Sequence, residues 1–178
     1  MESMTENLKG DGTWETTAGG LALSHEMLAA PPVHVPDGRG GAYKTELVIE
    51  RGSDRTVKIL WWYADDPRTE PHNHPWAFTS EILAGGYTDE RYCIATDGTI
   101  NHETVVVRAG DVNVVPADVY HRVTDVLPGT VTRMTCGSAA LGNAWGYLDV
   151  MSGKISPSHD PTFVANLRAI NPHLRPSG

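Results

Sequence analysis

Cysteine is scarce in this chain, with Cys93 and Cys136 as the only two. Two thiols cannot frame a disulfide scaffold, so stability must come from a buried core, in which both are expected to sit as small hydrophobes. Positive charge is scarce as well. Fourteen Lys and Arg stand against 22 Asp and Glu, a formal net charge of −8. No basic cluster interrupts that balance, which argues against a nucleic-acid partner. Long apolar runs are missing too. The longest have strand length, far below the ~18 residues of a membrane-spanning helix, so no membrane partner is expected. The N-terminus is polar and acidic, without the basic and apolar regions of a secretory leader. The expectation is a cytoplasmic, reducing location. What remains is enough for one domain with trimmings: 178 residues, 40% hydrophobic, with five tryptophans.

Residues 1–38 are rich in Gly, Thr, Ala, Pro and acid and read as an arm. Within it, Leu21 to Leu28 predicts one short helix, capped by Thr17 or Ser24 and ended by Pro31-Pro32. From Tyr43 the texture changes to strands, predicted over 45–49, 56–63, 71–78, 80–83, 87–94, 103–107, 112–115, 121–126, 131–136 and 145–150. Turn signals separate them: Arg51-Gly52-Ser53-Asp54, Ala84-Gly85-Gly86, Asp97-Gly98 and Pro128-Gly129. Asp97-Gly98 predicts a tight hairpin. About ten short strands so spaced indicate an all-β jelly roll or sandwich. Phe163, Leu167 and Ile170 lie at helical spacing and predict a C-terminal helix. The division expected is an arm over 1–38, a barrel over 39–152 and an extension over 153–178.

Two stretches carry the chemistry. One is Pro71-His72-Asn73-His74-Pro75-Trp76, running on to Gly85-Gly86. The other runs from Gly110 through Pro116 to His121, with Asp125 beyond. An H-x-H pair on an extended segment puts both imidazoles on one face, because side chains alternate with period two. A third histidine from a distant strand completes a facial nitrogen cap for a divalent transition metal, with coordination positions left open.

In these two stretches the chain resembles the cupin superfamily. The usual first motif is G-x5-H-x-H-x(3,4)-E-x6-G, and it fits at His72, His74 and Gly86. The second, G-x5-P-x-G-x2-H-x3-N, fits at Gly110, Pro116 and His121, with Asp118 for the glycine and Asp125 for the asparagine. The resemblance covers roughly residues 40–150. It implies a cupin double-stranded β-helix, a jelly-roll barrel, with a metal held by His72, His74 and His121. The glutamate position falls on Thr79, and Glu81 is two residues late. A site of three histidines is the simpler reading, with Glu81 as the alternative fourth ligand, general base or solvated strand residue. Some three-histidine thiol dioxygenases of the superfamily carry a cysteine near that position, cross-linked to a tyrosine; Thr79 does not support such a link. Cupins commonly dimerise by strand exchange, so a homodimer is implied.

Arg91 and Arg133 are the foremost substrate candidates, because an inward guanidinium in a barrel needs an anionic partner; each is otherwise an outward strand residue. Lys58 is a weaker version of the same case. Tyr87 and Tyr120 are further candidate contacts. Asp118 and Asp125 are either acceptors for a ligand imidazole or turn residues. Trp61, Trp62, Tyr63, Trp76 and Phe78 read mainly as core, with Trp76 alternatively at the pocket mouth. The other five histidines, His25, His34, His102, His159 and His173, read as surface residues. The functional expectation is a metal-dependent enzyme: an Fe(II)-type oxygenase, with Mn, Ni, Cu or Zn as other metals, acting on a small polar, carboxylate-bearing metabolite. Glu81, Tyr87, Arg91 and Arg133 are its catalytic candidates. The alternatives are a non-oxidative isomerase, cyclase or lyase using the metal as Lewis acid, and a small-molecule binding module.

Overall fold

The computed structural model describes residues 32–52, 54–139 and 145–157, together with the backbone of three short strands upstream. Those are β1 (Asn7–Leu8), β2 (Trp14–Ala18) and β3 (Leu21–Ser24), an antiparallel sheet of their own. Leu21–Ser24 is thus strand where helix was expected, and its Leu-Ala-Leu-Ser alternation has the period of a strand. The rest of that helix, and the helix expected over 161–170, lie outside the described residues.

Eleven strands follow. They are β4 (Val33–Pro36), β5 (Ala42–Arg51), β6 (Thr56–Trp62), β7 (Trp76–Ala84), β8 (Gly86–Ile94), β9 (Ile100–Arg108), β10 (Val112–Val115), β11 (Tyr120–Thr124), β12 (Val131–Ala139), β13 (Gly146–Leu148) and β14 (Ile155–Pro157). One sheet has the order β10-β7-β12-β6-β5-β4, a second β11-β8-β9, and β13 pairs with β14. All pairings are antiparallel. Insertion of β12 between β6 and β7 is the crossed winding of a jelly roll. Asp97-Gly98 turns β8 into β9, with Gly98 at φ 84° and the Thr99 N–H donating to Asp97 Oδ1 at 2.9 Å.

The core lies between the two sheets. Leu60, Trp62, Trp76, Phe78, Ile82, Met134 and Cys136 from one meet Tyr87, Val107 and Val123 from the other. Each large side chain so buried contributes roughly 1.5–3 kcal/mol before its losses of entropy. Strand alternation sets which residues take part. Along β7 the buried positions are Trp76, Phe78, Ser80 and Ile82, while Ala77, Thr79, Glu81 and Leu83 face the other way. Along β6, Trp62 joins this core and Trp61 a second cluster with Leu47, Ile59 and Val131 on the sheet's opposite face. Tyr63 is 45% exposed, since its strand ends at Trp62. Cys136 is buried as expected, but Cys93 is exposed near the end of β8, where the sheet outruns the core.

Candidate metal centre

The H-x-H segment is pinned before β7 begins. His72 and His121 exchange backbone hydrogen bonds, the His72 N–H to the His121 carbonyl at 2.9 Å and the reverse at 2.8 Å. Residues paired in this way project to the same face. Asn73, 5% exposed, locks the loop between the two histidines. Its amide donates to the Ala117 carbonyl at 3.3 Å and its oxygen accepts the Gly146 N–H at 2.8 Å. His74 therefore returns to the side of His72. One nitrogen from each of His72, His74 and His121 lies within 4.8 Å of the other two. The His74 and His121 Nε2 atoms are 3.1 Å apart. Two ligands each at about 2.1 Å from one ion are separated by about that much.

Two of the donors, His72 and His74, are in the protonation state that a metal needs. Burial, helped by the neighbouring histidines, holds His72 and His74 well below the ordinary histidine value. Their imidazoles are neutral, with a lone pair free to coordinate. His72 Nδ1 is buried without a hydrogen-bond partner; Asp66 Oδ2 stands 3.7 Å off, beyond bonding range. His121 Nδ1 lies 2.7 Å from Asp89 Oδ1, so it carries the proton and leaves Nε2 as the donor to a metal. The carboxylate of Asp89 is fully buried. Burial opposes its charge, but hydrogen bonds from His121, Asn113 and Arg91 outweigh burial and hold it below the usual carboxylate range. Three imidazole nitrogens within reach of one point, one of them oriented by a buried carboxylate, fit a borderline divalent ion such as Fe(II), Mn, Ni, Cu or Zn.

Two antiparallel sheets close on each other, and the histidines of two separated motifs meet between them. This is a cupin fold. No family model and no curated relative matches the sequence. Partial overlaps with solved structures do occur. An RmlC-like cupin from Shewanella frigidimarina is 21% identical over 57% of this chain and 81% of its own, with a TM-score of 0.40. KdgF from a Halomonas species is 10% identical over 62% of this chain and 89% of its own, at 0.43. The Fe(II) form of HppE, in complex with an alternative substrate, is 14% identical over 60% of this chain, at 0.45; the match spans only 55% of that protein's length. Likeness at these values carries no reaction, metal or substrate over to this chain.

Beside the histidines the cupin barrel holds a cavity of about 130 Å3. His72, His74 and Trp76 form one side, and Lys44, Glu46, Lys58 and Arg68 line it too. Lys58 Nζ lies 3.1 Å from Glu46 Oε2, and Lys44 Nζ 3.2 Å from Glu46 Oε1. Burial would push the Glu46 carboxyl up, but Lys58 and Lys44 more than offset it and bring it down to about 2.

None of the four residues expected from sequence to be catalytic lines this cavity. Glu81 and Arg133 face outward, 3.8 Å apart, with side chains 44% and 48% exposed. Strand parity is the reason: Ile82 and Met134, their immediate neighbours, take the inward positions. Arg91 turns away from the cavity to bond Asp89 at 2.9 Å, Asn113, and the Val114 carbonyl at 3.0 Å. Tyr87 is buried, and its hydroxyl accepts from Asn113 Nδ2 at 3.1 Å. Both belong to the framework behind His121. Asp118 and Asp125 are exposed, Asp125 in a turn at φ 51°, and Asp89 takes the supporting role considered for them. Asp89, Asn113, Lys44, Glu46 and Arg68 escaped the sequence reading. The available signal was a charged residue at an inward position of a strand: Lys58 sits in Thr-Val-Lys-Ile-Leu, and Asp89 has the parity of Tyr87.

Proposed function

We propose that this chain is a metal-dependent cupin enzyme, an Fe(II)-type oxygenase acting on a small carboxylate-bearing metabolite. The observation that carries the proposal is the meeting of three imidazole nitrogens within 4.8 Å of one another, two of the rings, His72 and His74, lining a cavity that Lys44, Lys58 and Arg68 line as well. A bound iron would supply a redox-active Lewis acid with positions open to substrate and oxygen. The chain's own residues bind, orient and exclude. His72, His74 and His121 hold the metal on one face. Asp89 fixes the ring and tautomer of His121. Trp76 and Phe78 pack against the His74 ring at centroid distances of 5.7 and 5.2 Å, keeping water from that side. Lys44 and Lys58 present positive charge to an acid entering the cavity.

The test is oxygen consumption by protein reconstituted anaerobically with Fe(II), measured against short hydroxy- and keto-carboxylates. The expected result is iron bound in proportion to chain and uptake of oxygen with at least one acid. Metal-dependent conversion of an acid without oxygen uptake would replace the oxygenase by a non-oxidative isomerase, cyclase or lyase. Failure to bind any divalent metal would leave a binding module.

A further inference from the structure

The ammonium groups of Lys44 and Lys58 face one carboxylate. Among the described residues Glu46 is the only hydrogen-bonding partner of either, at 3.1 Å to Lys58 and 3.2 Å to Lys44. The side chains of Lys58, Lys44 and Glu46 are 4%, 17% and 11% exposed. Each ammonium has three donors, so the pair keeps donor capacity beyond what one carboxylate uses. Two positive charges against one negative leave one positive charge out of bulk water, which is costly unless an anion joins it. The other cation of the cavity, Arg68, already has Asp66 Oδ2 at 3.6 Å from its Nη1. Lys44 Nζ lies 4.9 Å from the Trp62 ring centroid, and Lys58 Nζ 6.0 Å from that of Trp76; these rings attract the ammonium groups but carry no negative charge to balance them. Trp76 in turn touches His74, with ring centroids 5.7 Å apart. The charged pair and the histidines therefore share one small cavity.

We infer that Lys44 and Lys58 form the carboxylate subsite of this cavity, with Glu46 as their resident counter-ion, and that the ligand is a short monoanionic acid. Its carboxylate bridges the two ammonium groups, and its other polar end points at the histidines. Excess charge of one selects a monoanion over phosphate or a dicarboxylate. The cavity, of about 130 Å3, is small, which favours a small acid over a long-chain one. This inference deepens the proposed function and takes from it only the orientation of the ligand.

Glycolate and inorganic phosphate serve as probes, in calorimetric titration of the full chain as purified, with metal content measured on every sample. Wild type should bind glycolate saturably and phosphate at least tenfold more weakly. Lys58→Met and Lys44→Met should each weaken glycolate at least tenfold with metal content unchanged. If Lys58→Met does not fold, Lys44→Gln carries the same test, since Lys58 still neutralises Glu46. No glycolate binding by wild type, equal binding by the lysine variants, or a preference for phosphate would each overturn the inference. Lysine-dependent glycolate binding by a wild type that takes up no metal would instead sink the metal-centred reading and leave this subsite standing.

Discussion

His121 shows how much of this site depends on a residue that coordinates nothing. Asp89 lies under it, fully buried, and is held in turn by Asn113 at 3.0 Å and Arg91 at 2.9 Å. Asp89→Asn keeps the shape but removes the charge, and leaves the Arg91 guanidinium without its counter-ion. The expected outcome is a metal affinity lowered 10- to 100-fold, the range usual for lost supporting partners, in a chain that still folds. Competition with a chromogenic chelator reads this directly; unchanged affinity would show that His121 needs no such support. The three histidines were legible in sequence through motif spacing, although the strand expected over 71–78 begins only at Trp76 and it is Asn73, not strand period, that returns His74 to the side of His72. Asp89 was not, since an acid within a strand has the pattern of a solvent-facing residue. Glu81, the alternative fourth ligand, has the strand parity of Thr79, and both lie on the face of β7 opposite Phe78 and Ser80. Along β7 the inward positions are Trp76, Phe78, Ser80 and Ile82, and this alternation turns Glu81 outward.

Among the elements, β7 and β8 depend on the corner between them. Gly85 has φ +68°, and a Cβ there would stand 2.8 Å from Thr130 Cα. Thr130 cannot retreat: it is fully buried, and its hydroxyl accepts the Gly86 N–H and approaches the Leu127 carbonyl at 2.7 Å. Left-handed strain of about 1–2 kcal/mol and overpacking of about 1–3 kcal/mol add here. Gly85→Ala should therefore lower unfolding stability by at least ~2 kcal/mol in urea titration, and a change under ~0.5 kcal/mol would contradict this account of the corner. The Gly-Gly turn was plain in sequence, as was the Asp97-Gly98 hairpin. The charged triad was not. In register, Lys58 faces Val48 and Glu46 faces Leu60, so Lys58 and Glu46 are diagonal neighbours on β6 and β5. That diagonal is invisible until the strands are paired.

Taken whole, the molecule is an acidic β barrel with a cationic interior, and no helix among the described residues is long and apolar enough to cross a membrane. The interior charge gives it an acid limb. The Glu46 carboxyl is depressed from 4.5 to about 2, so the unfolded chain binds this proton more readily than the folded one. Its contribution is complete above about pH 4.5 and is lost as pH falls towards 2. Glu46→Gln strands two buried ammonium groups and should cost roughly 3–5 kcal/mol at neutral pH. It should also flatten the decline of stability between pH 5 and pH 3 relative to wild type; parallel declines in denaturant midpoint would place the acid sensitivity elsewhere.

The central claim is that His72, His74 and His121 together hold one metal ion. Its most direct test is the metal-to-chain ratio, by elemental analysis, of wild type and of His72→Ala, His74→Ala and His121→Ala, each checked for a folded barrel by circular dichroism. The account predicts about one divalent transition-metal ion per wild-type chain and a strong loss in every single variant, with the β signature intact because the core between the sheets is apolar. Full metal content in all three variants, or none in the wild type after exposure to Fe(II), Mn, Ni, Cu and Zn, would contradict it.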